Sequence, residues 1–139
     1  MIQTLAEWKV ELAVISEPYR SINSCNWKAD KTQLVAIYRN GNTASPPLRT
    51  QSNGQGFVAA ERGGVNIVGV YAPPSWPITK FSQMLKEVDN YIQTFTEKNS
   101  IIIAGDFNAK STTWGSKTDN SRGKILLDWS AGRDKKKIK

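Results

Sequence analysis

The stretch Ile101-Ile102-Ile103-Ala104-Gly105-Asp106-Phe107-Asn108 constrains the fold more than any other part of the chain. Three consecutive β-branched residues followed by alanine and closed by glycine describe a short strand covered on both faces, as in the interior of an α/β protein. Glycine permits the sharp turn needed where such a strand stops. Asp106 and Asn108, one residue apart, then stand at the strand's end and point the same way. A carboxylate beside an amide supplies hard oxygen ligands and hydrogen-bond acceptors, the chemistry that a Mg²⁺ ion and a polarised water require. Gly, Asp and Asn are also the commonest turn residues, so taken by itself this stretch reads equally as a strand and a polar turn.

Other strands end in the same manner. Residues 11–16 read as a buried strand that stops at Glu17-Pro18; proline cannot continue a central strand and pushes Glu17 toward an extended conformation, leaving a carboxylate at the strand's mouth. Residues 56–61 and 65–71 pair as a hairpin around Arg62-Gly63-Gly64, and the second of these strands ends at Tyr71-Ala72-Pro73-Pro74. Residues 34–38 give another strand, stopped by Asn40-Gly41-Asn42, and 43–55 read as a long polar connection.

Helices fill the intervals. Thr4 and Glu7 have the spacing of a capping box for a short first helix. Phe81, Met84, Leu85, Val88, Tyr91, Ile92 and Phe95 recur at steps of three and four, which is one apolar helical face, with Ser75 as its cap, Pro77 in its first turn and Lys98-Asn99 at its close. Strand, helix and strand in succession make the architecture α/β. A last helix is expected from Asn120 or Ser121 through Ile125, Leu126 and Trp129 to Gly132.

Composition bounds the chemistry. The chain has 139 residues, room for one domain, and the patterning assigns 1–132 to that domain and 133–139 to a basic tail. Nineteen Lys and Arg against twelve Asp and Glu give a net charge of +7, which points toward a polyanionic partner. The absence of histidine excludes Ser-His-Asp and Cys-His catalysis and His-ligated zinc. Cys25 has no second cysteine to pair with, which suits a reducing compartment. No apolar run is long enough for a membrane helix and the N-terminal charges do not suit a signal peptide, so the expected setting is nuclear or cytoplasmic, without a membrane partner.

Taken together, Ser16-Glu17-Pro18-Tyr19, Val70-Tyr71-Ala72-Pro73 and Gly105-Asp106-Phe107-Asn108, in this order, resemble the endonuclease/exonuclease/phosphatase superfamily, whose fold is that of deoxyribonuclease I. Trp114-Gly115-Ser116 and the run Asn120-Ser121-Arg122-Gly123-Lys124-Ile125-Leu126-Leu127-Asp128-Trp129 are similar to the endonuclease domains of insect non-LTR retrotransposon polyproteins. The resemblance implies a four-layer α/β/β/α sandwich and metal-dependent hydrolysis of DNA phosphodiesters, with Mg²⁺ or Mn²⁺ as cofactor. It puts Glu17 and Asp106 at the metal, and Asp106, Asn108 and Tyr71 among the catalytic groups. Substrate contacts would fall to Asn108, Arg122, Lys124 and Trp114. The partners it implies are the DNA backbone and, in an intact element, a covalently linked reverse transcriptase domain.

The departures from that family are as informative as the matches. The family opens with a strand bearing a site asparagine and closes with one bearing Ser-Asp-His, and neither pattern occurs here. Losing one electrostatic element of this kind typically costs about 10²–10³ in rate. The expectation is therefore a fragment with weak or no activity alone, an incomplete sandwich whose sheet edges beside Ile101-Ile102-Ile103 lack partners. Two other readings stand beside it: a catalytically inactive remnant that binds nucleic acid through its charge, and a phosphatase or lipid phosphodiesterase of the same superfamily.

Overall fold

A computed structural model describes residues 12–17, 27–39, 48–94, 100–131 and 137–138. In chain order the elements are β1 (Leu12–Ser16), β2 (Trp27–Ala29), β3 (Val35–Arg39), β4 (Arg49–Asn53), β5 (Phe57–Arg62), β6 (Val65–Tyr71), α1 (Ile78–Ile92), β7 (Ser100–Asp106), a 3₁₀ turn (Thr112–Trp114), α2 (Ser121–Ala131) and β8 (Lys137–Ile138). They form two sheets, ordered β1-β3-β2 and β4-β5-β6-β7-β8.

The period of two along β5 and β6 sorts their side chains into separate cores. Phe57, Ala59, Val68 and Val70 face the helices and pack with Phe81, Met84, Leu85, Val88 and Ile92 of α1 and Leu126 of α2. Val58, Ala60, Ile67 and Tyr71 face the smaller sheet, meeting Val35 and Ile37 with Leu12 and Val14 beside them. Each buried side chain of this size contributes about 1.5–3 kcal/mol, so the five-stranded sheet is held from both sides. Among the described residues the layers are helix, larger sheet and smaller sheet, three of the four layers of the incomplete α/β/β/α sandwich expected from the sequence. The Thr4–Glu7 helix, Cys25 and the Asn40-Gly41-Asn42 turn lie outside the described residues, whereas α1, expected to close at Lys98-Asn99, ends at Ile92 with Gln93 as its C-cap.

Local structure agrees with the patterning in most places. Gly63 and Gly64, with φ of 57° and 85°, form the two-residue turn between β5 and β6, which only paired left-handed residues can make without splaying the strands. β6 and β7 are adjacent and parallel, with α1 between them in sequence. The helix itself starts two residues later than expected. Pro77, not Ser75, stands at the cap position, and no side chain caps it there.

Four features differ from expectation. Residues 49–53, read as part of a polar connection, form an edge strand; it is exposed and bulged between Thr50 and Ser52, so it carries no alternating apolar signal. Arg49 lies opposite Glu61 and bonds it at 3.0 Å. β2, only three residues long, is likewise too short to stand out in the sequence. β7 is covered on both faces only in part: Ile101 and Ile103 are buried against the helices, whereas Ile102 and Ala104 line an open cleft with Leu12, Val14, Ile37 and Ile67. The far edge of β7, expected to be unpaired, carries β8 in parallel, with Ile102 opposite Lys137 and Ile103 opposite Ile138. Part of the basic tail is thus a strand.

Gly105 fixes the end of β7. Its φ is +140°, and a Cβ there would sit 1.9 Å from the carbonyl oxygen of Val70 on the neighbouring strand. Gly64 also has positive φ, but a Cβ there meets nothing within 4 Å. Gly105→Ala should therefore destabilise the chain by about 3 kcal/mol or more, and Gly64→Ala by only about 1 kcal/mol. Urea denaturation of the two variants checks the ranking, and equal losses would contradict it.

Candidate active site

Three strand ends converge at one rim of the sandwich. β1 ends just before Glu17, β6 at Tyr71 and β7 at Asp106, and the parallel register sets Tyr71 directly opposite Asp106. The Tyr71 hydroxyl donates to Glu17 Oε1 at 2.6 Å, a contact between residues 54 apart in sequence. Glu17 and Asp106 are exposed while the body of Tyr71 is buried, so the phenol reaches from the core into a polar rim.

Backbone conformation is unusual at two of these positions. Glu17 has φ of 50° and Asn108 of 49°, both in the left-handed region that costs a non-glycine residue about 1–2 kcal/mol. The extended Glu17 expected from its position before proline is therefore corrected. A bond from Glu17 N–H to the Leu34 carbonyl at 2.7 Å holds the turn. Asparagine tolerates the conformation better, and its own amide N–H donates to Asp106 Oδ1 at 2.8 Å.

Asn108 also closes the rim from below. Its side-chain Nδ2 donates to the Ala72 carbonyl at 2.9 Å, and Ala72 N–H donates to the Asp106 carbonyl at 3.0 Å. The chain leaving β6 and the chain leaving β7 are thereby tied together, as they must be if their side chains are to act on one group.

The electrostatics are those of a phenol between carboxylates. The Tyr71 hydroxyl is held above its ordinary pKa, first by its hydrogen bond to Glu17, then by burial and by the charges of Glu17 and Asp106, with a hydrogen bond from the Asn108 side chain acting in the opposite direction. Tyr71 is thus a donor throughout the neutral range. Two carboxylates with open oxygens suit a small hard cation that keeps several waters. Among the described residues there is no group of three His, Cys, Asp or Glu positioned to hold a metal, so any such ion would draw its remaining ligands from water and substrate.

The other predicted contacts are placed differently. Lys124 is exposed on α2, and its backbone N–H bonds the Asn120 carbonyl. The Trp114 backbone closes the 3₁₀ turn, which Ser111 caps by accepting from Thr113 N–H and which Gly115 ends at φ 92°. Arg122, expected at a substrate phosphate, is buried instead and its guanidinium is taken up by four backbone carbonyls. Burial pulls its pKa below the usual value, yet an arginine stays charged in any such setting.

Two supporting groups were not legible as such. Asp30 is 2% exposed and accepts from the backbone N–H groups of Thr32, Leu34, Val35 and Gly56 and from the Thr32 hydroxyl. Gly56 in turn accepts from Tyr71 N–H at 2.8 Å, so this carboxylate anchors the strand exit behind the phenol. The signal was an Asp two residues before Thr, the spacing of a side-chain turn. Asn120 Oδ1 accepts from Gly123 N–H at 2.8 Å and from Lys110 N–H at 2.9 Å, capping α2 and tying it to the chain beyond Asn108.

Comparison with known proteins places this rim in a family context. No curated protein matches the chain. Among solved structures it is similar to the endonuclease domain of TRAS1, a telomere-specific non-LTR retrotransposon, at 26% identity and a TM-score of 0.68. That match covers 94% of this chain, which spans 63% of the TRAS1 domain. A family model described as endonuclease-reverse transcriptase matches residues 65–136, from β6 and Tyr71 through Asp106, Asn108 and α2. With the strand-end site, the fold and more than half of the sequence in agreement, the chain belongs to the endonuclease-reverse transcriptase family.

Proposed function

We propose that this chain hydrolyses phosphodiester bonds of DNA at the rim formed by Glu17, Tyr71, Asp106 and Asn108. The observation that carries the reading is the Tyr71 hydroxyl bonded to Glu17 at 2.6 Å while its strand position faces Asp106. Two carboxylates and a neutral phenol converge there from three strands. Glu17 and Asp106 would hold Mg²⁺ or Mn²⁺, which when bound polarises the scissile phosphate and offsets charge on the leaving oxygen.

The chain's own groups divide the remaining work. Asp106, with Oδ1 taken by Asn108 N–H, keeps its second oxygen to orient the attacking water or accept its proton. Tyr71 donates a hydrogen bond to Glu17 or to a phosphate oxygen. Asn108, fixed by the Ala72 carbonyl, presents the rest of its amide to the phosphate. The net charge of +7 and exposed side chains such as Lys124 hold the DNA backbone without reading sequence. With no histidine in the chain to offset charge in the transition state, turnover is slow. In an intact element, the family description supports a covalently linked reverse transcriptase domain as partner, with the chain working in the nucleus or cytoplasm.

Nicking of supercoiled plasmid tests the assignment. Mg²⁺-dependent nicking is expected, with Asp106→Ala lowering it by about 10²–10⁴-fold. Salt-sensitive DNA binding that persists with chelator and in Glu17→Ala, with no nicking, would favour a non-catalytic binding module. Turnover of a phosphoinositide but not of DNA would favour the phosphatase branch.

The phenol supplies a second test. Ultraviolet titration should show Tyr71, identified by difference against Tyr71→Phe, ionising above the ordinary tyrosine value of about 10. The difference is needed because burial and Glu61 push Tyr91 up to about 12. Glu17→Gln should bring Tyr71 back toward the ordinary range. Since the folded state favours the neutral phenol, its contribution to stability is complete below the unfolded value and is lost as pH rises through the folded one. An unchanged titration in Glu17→Gln would break the proposed coupling.

A further inference from the structure

The guanidinium of Arg122 makes four hydrogen bonds, each to a different backbone carbonyl. Nη1 donates to Ala72 at 3.1 Å and to Phe107 at 3.2 Å; Nη2 donates to Pro73 at 2.7 Å and to Trp76 at 2.8 Å. The group is held from the other side by the Phe81 ring, 5.0 Å from its carbon. These carbonyls belong to two segments, the exit from β6 after Tyr71 and the single residue between Asp106 and Asn108. Neither segment is helix or strand, so these carbonyls lack the ladder partners that a regular element supplies, although the Pro73 carbonyl also accepts from Trp76 N–H at 3.1 Å across the turn.

The Ala72 carbonyl is shared. It accepts from Arg122 Nη1 and from Asn108 Nδ2, so one oxygen couples the buried cation to the site amide. Helix α2 is seated to allow this: a Cβ on Gly123 would lie 1.8 Å from the Lys110 carbonyl oxygen, so only glycine lets the first turn of the helix come so close to the chain beyond Asn108. We propose that Arg122 is a positioning residue, a clasp that sets the Asn108 amide and the strand exits bearing Tyr71 and Asp106 by holding four carbonyls at once. This rests on the reading of the rim as a nuclease site, but the geometry it asserts is independent of turnover.

Lysine keeps the charge at 122 but offers one tetrahedral ammonium in place of a planar fork. It cannot reproduce four carbonyl bonds in two directions. In the full chain, Arg122→Lys should shift the Asn108 side-chain amide signals in a ¹⁵N correlation spectrum, assigned by comparison with Asn108→Ala. It should also lower the kcat for plasmid nicking by about tenfold to a hundredfold, with KM within threefold. Leu126→Ala, a core change on the same helix, serves as the control. Below its melting temperature it should leave both readouts near those of the unsubstituted chain, separating positioning from loss of stability. If Arg122→Lys does not fold, the unsubstituted chain decides: at low temperature the Arg122 Nη protons should appear as separate, slowly exchanging signals. A single averaged signal, or a folded Arg122→Lys with unmoved Asn108 amide signals, overturns the proposal. Absent nicking in the unsubstituted chain counts against the nuclease reading alone, because the amide readout still decides the clasp.

Discussion

The parallel pairing of β6 with β7 is the interaction on which the rest depends. Its register, from Val65 opposite Ser100 to Tyr71 opposite Asp106, decides that a phenol and a carboxylate arrive at the same rim. A slip of one residue would send every side chain of one strand to the opposite face. The apolar requirement forbids that slip, because Ile101 and Ile103 must meet the helices while Ile67 and Tyr71 meet the smaller sheet. Core packing thus sets the geometry of a polar site without any polar contact between the two strands' site side chains being needed to specify it.

Much of this was readable in advance because strong local signals and the global fold agree. Residues 65–71 are a β-branched run between a Gly-Gly turn and two prolines, and the structure keeps those boundaries. The apolar face from Phe81 to Ile92 became α1 because its spacing leaves no other way to bury it. The elements that escaped notice have weak local signals. β4 is Arg-Thr-Gln-Ser-Asn, exposed throughout except for a half-buried Ser52, and pairing with the alanine-rich β5 makes it a strand. β8 lies in a lysine-rich tail and exists only through the backbone of β7.

The site divides along the same line. Glu17 and Asp106 could be named because each stands at a strand end beside proline or glycine, where turn chemistry is local, and Asn108 because it follows Asp106 by two; Tyr71 could be named through the family resemblance. Arg122 could be named but not understood. A guanidinium next to a helix start suits a phosphate as well as it suits a carbonyl, and only the tertiary arrangement tells which is present. Asp30 shows the converse: a carboxylate with five donors and a buried place, it lies in a Lys-Thr turn that looks like surface.

The span of the site contacts has a consequence for how the molecule comes into being. Tyr71 meets Glu17 across 54 residues toward the N-terminus, and Arg122 meets Ala72 across 50 toward the C-terminus. Closing loops of that length is slow relative to local helix and hairpin formation. During synthesis the β5–β6 hairpin and α1 can form while the rim is still unmade, since its last support has not left the ribosome. The groupings at the rim are therefore late events in folding, and a chain that has collapsed around its core without docking β1 and α2 is compact but carries no assembled rim.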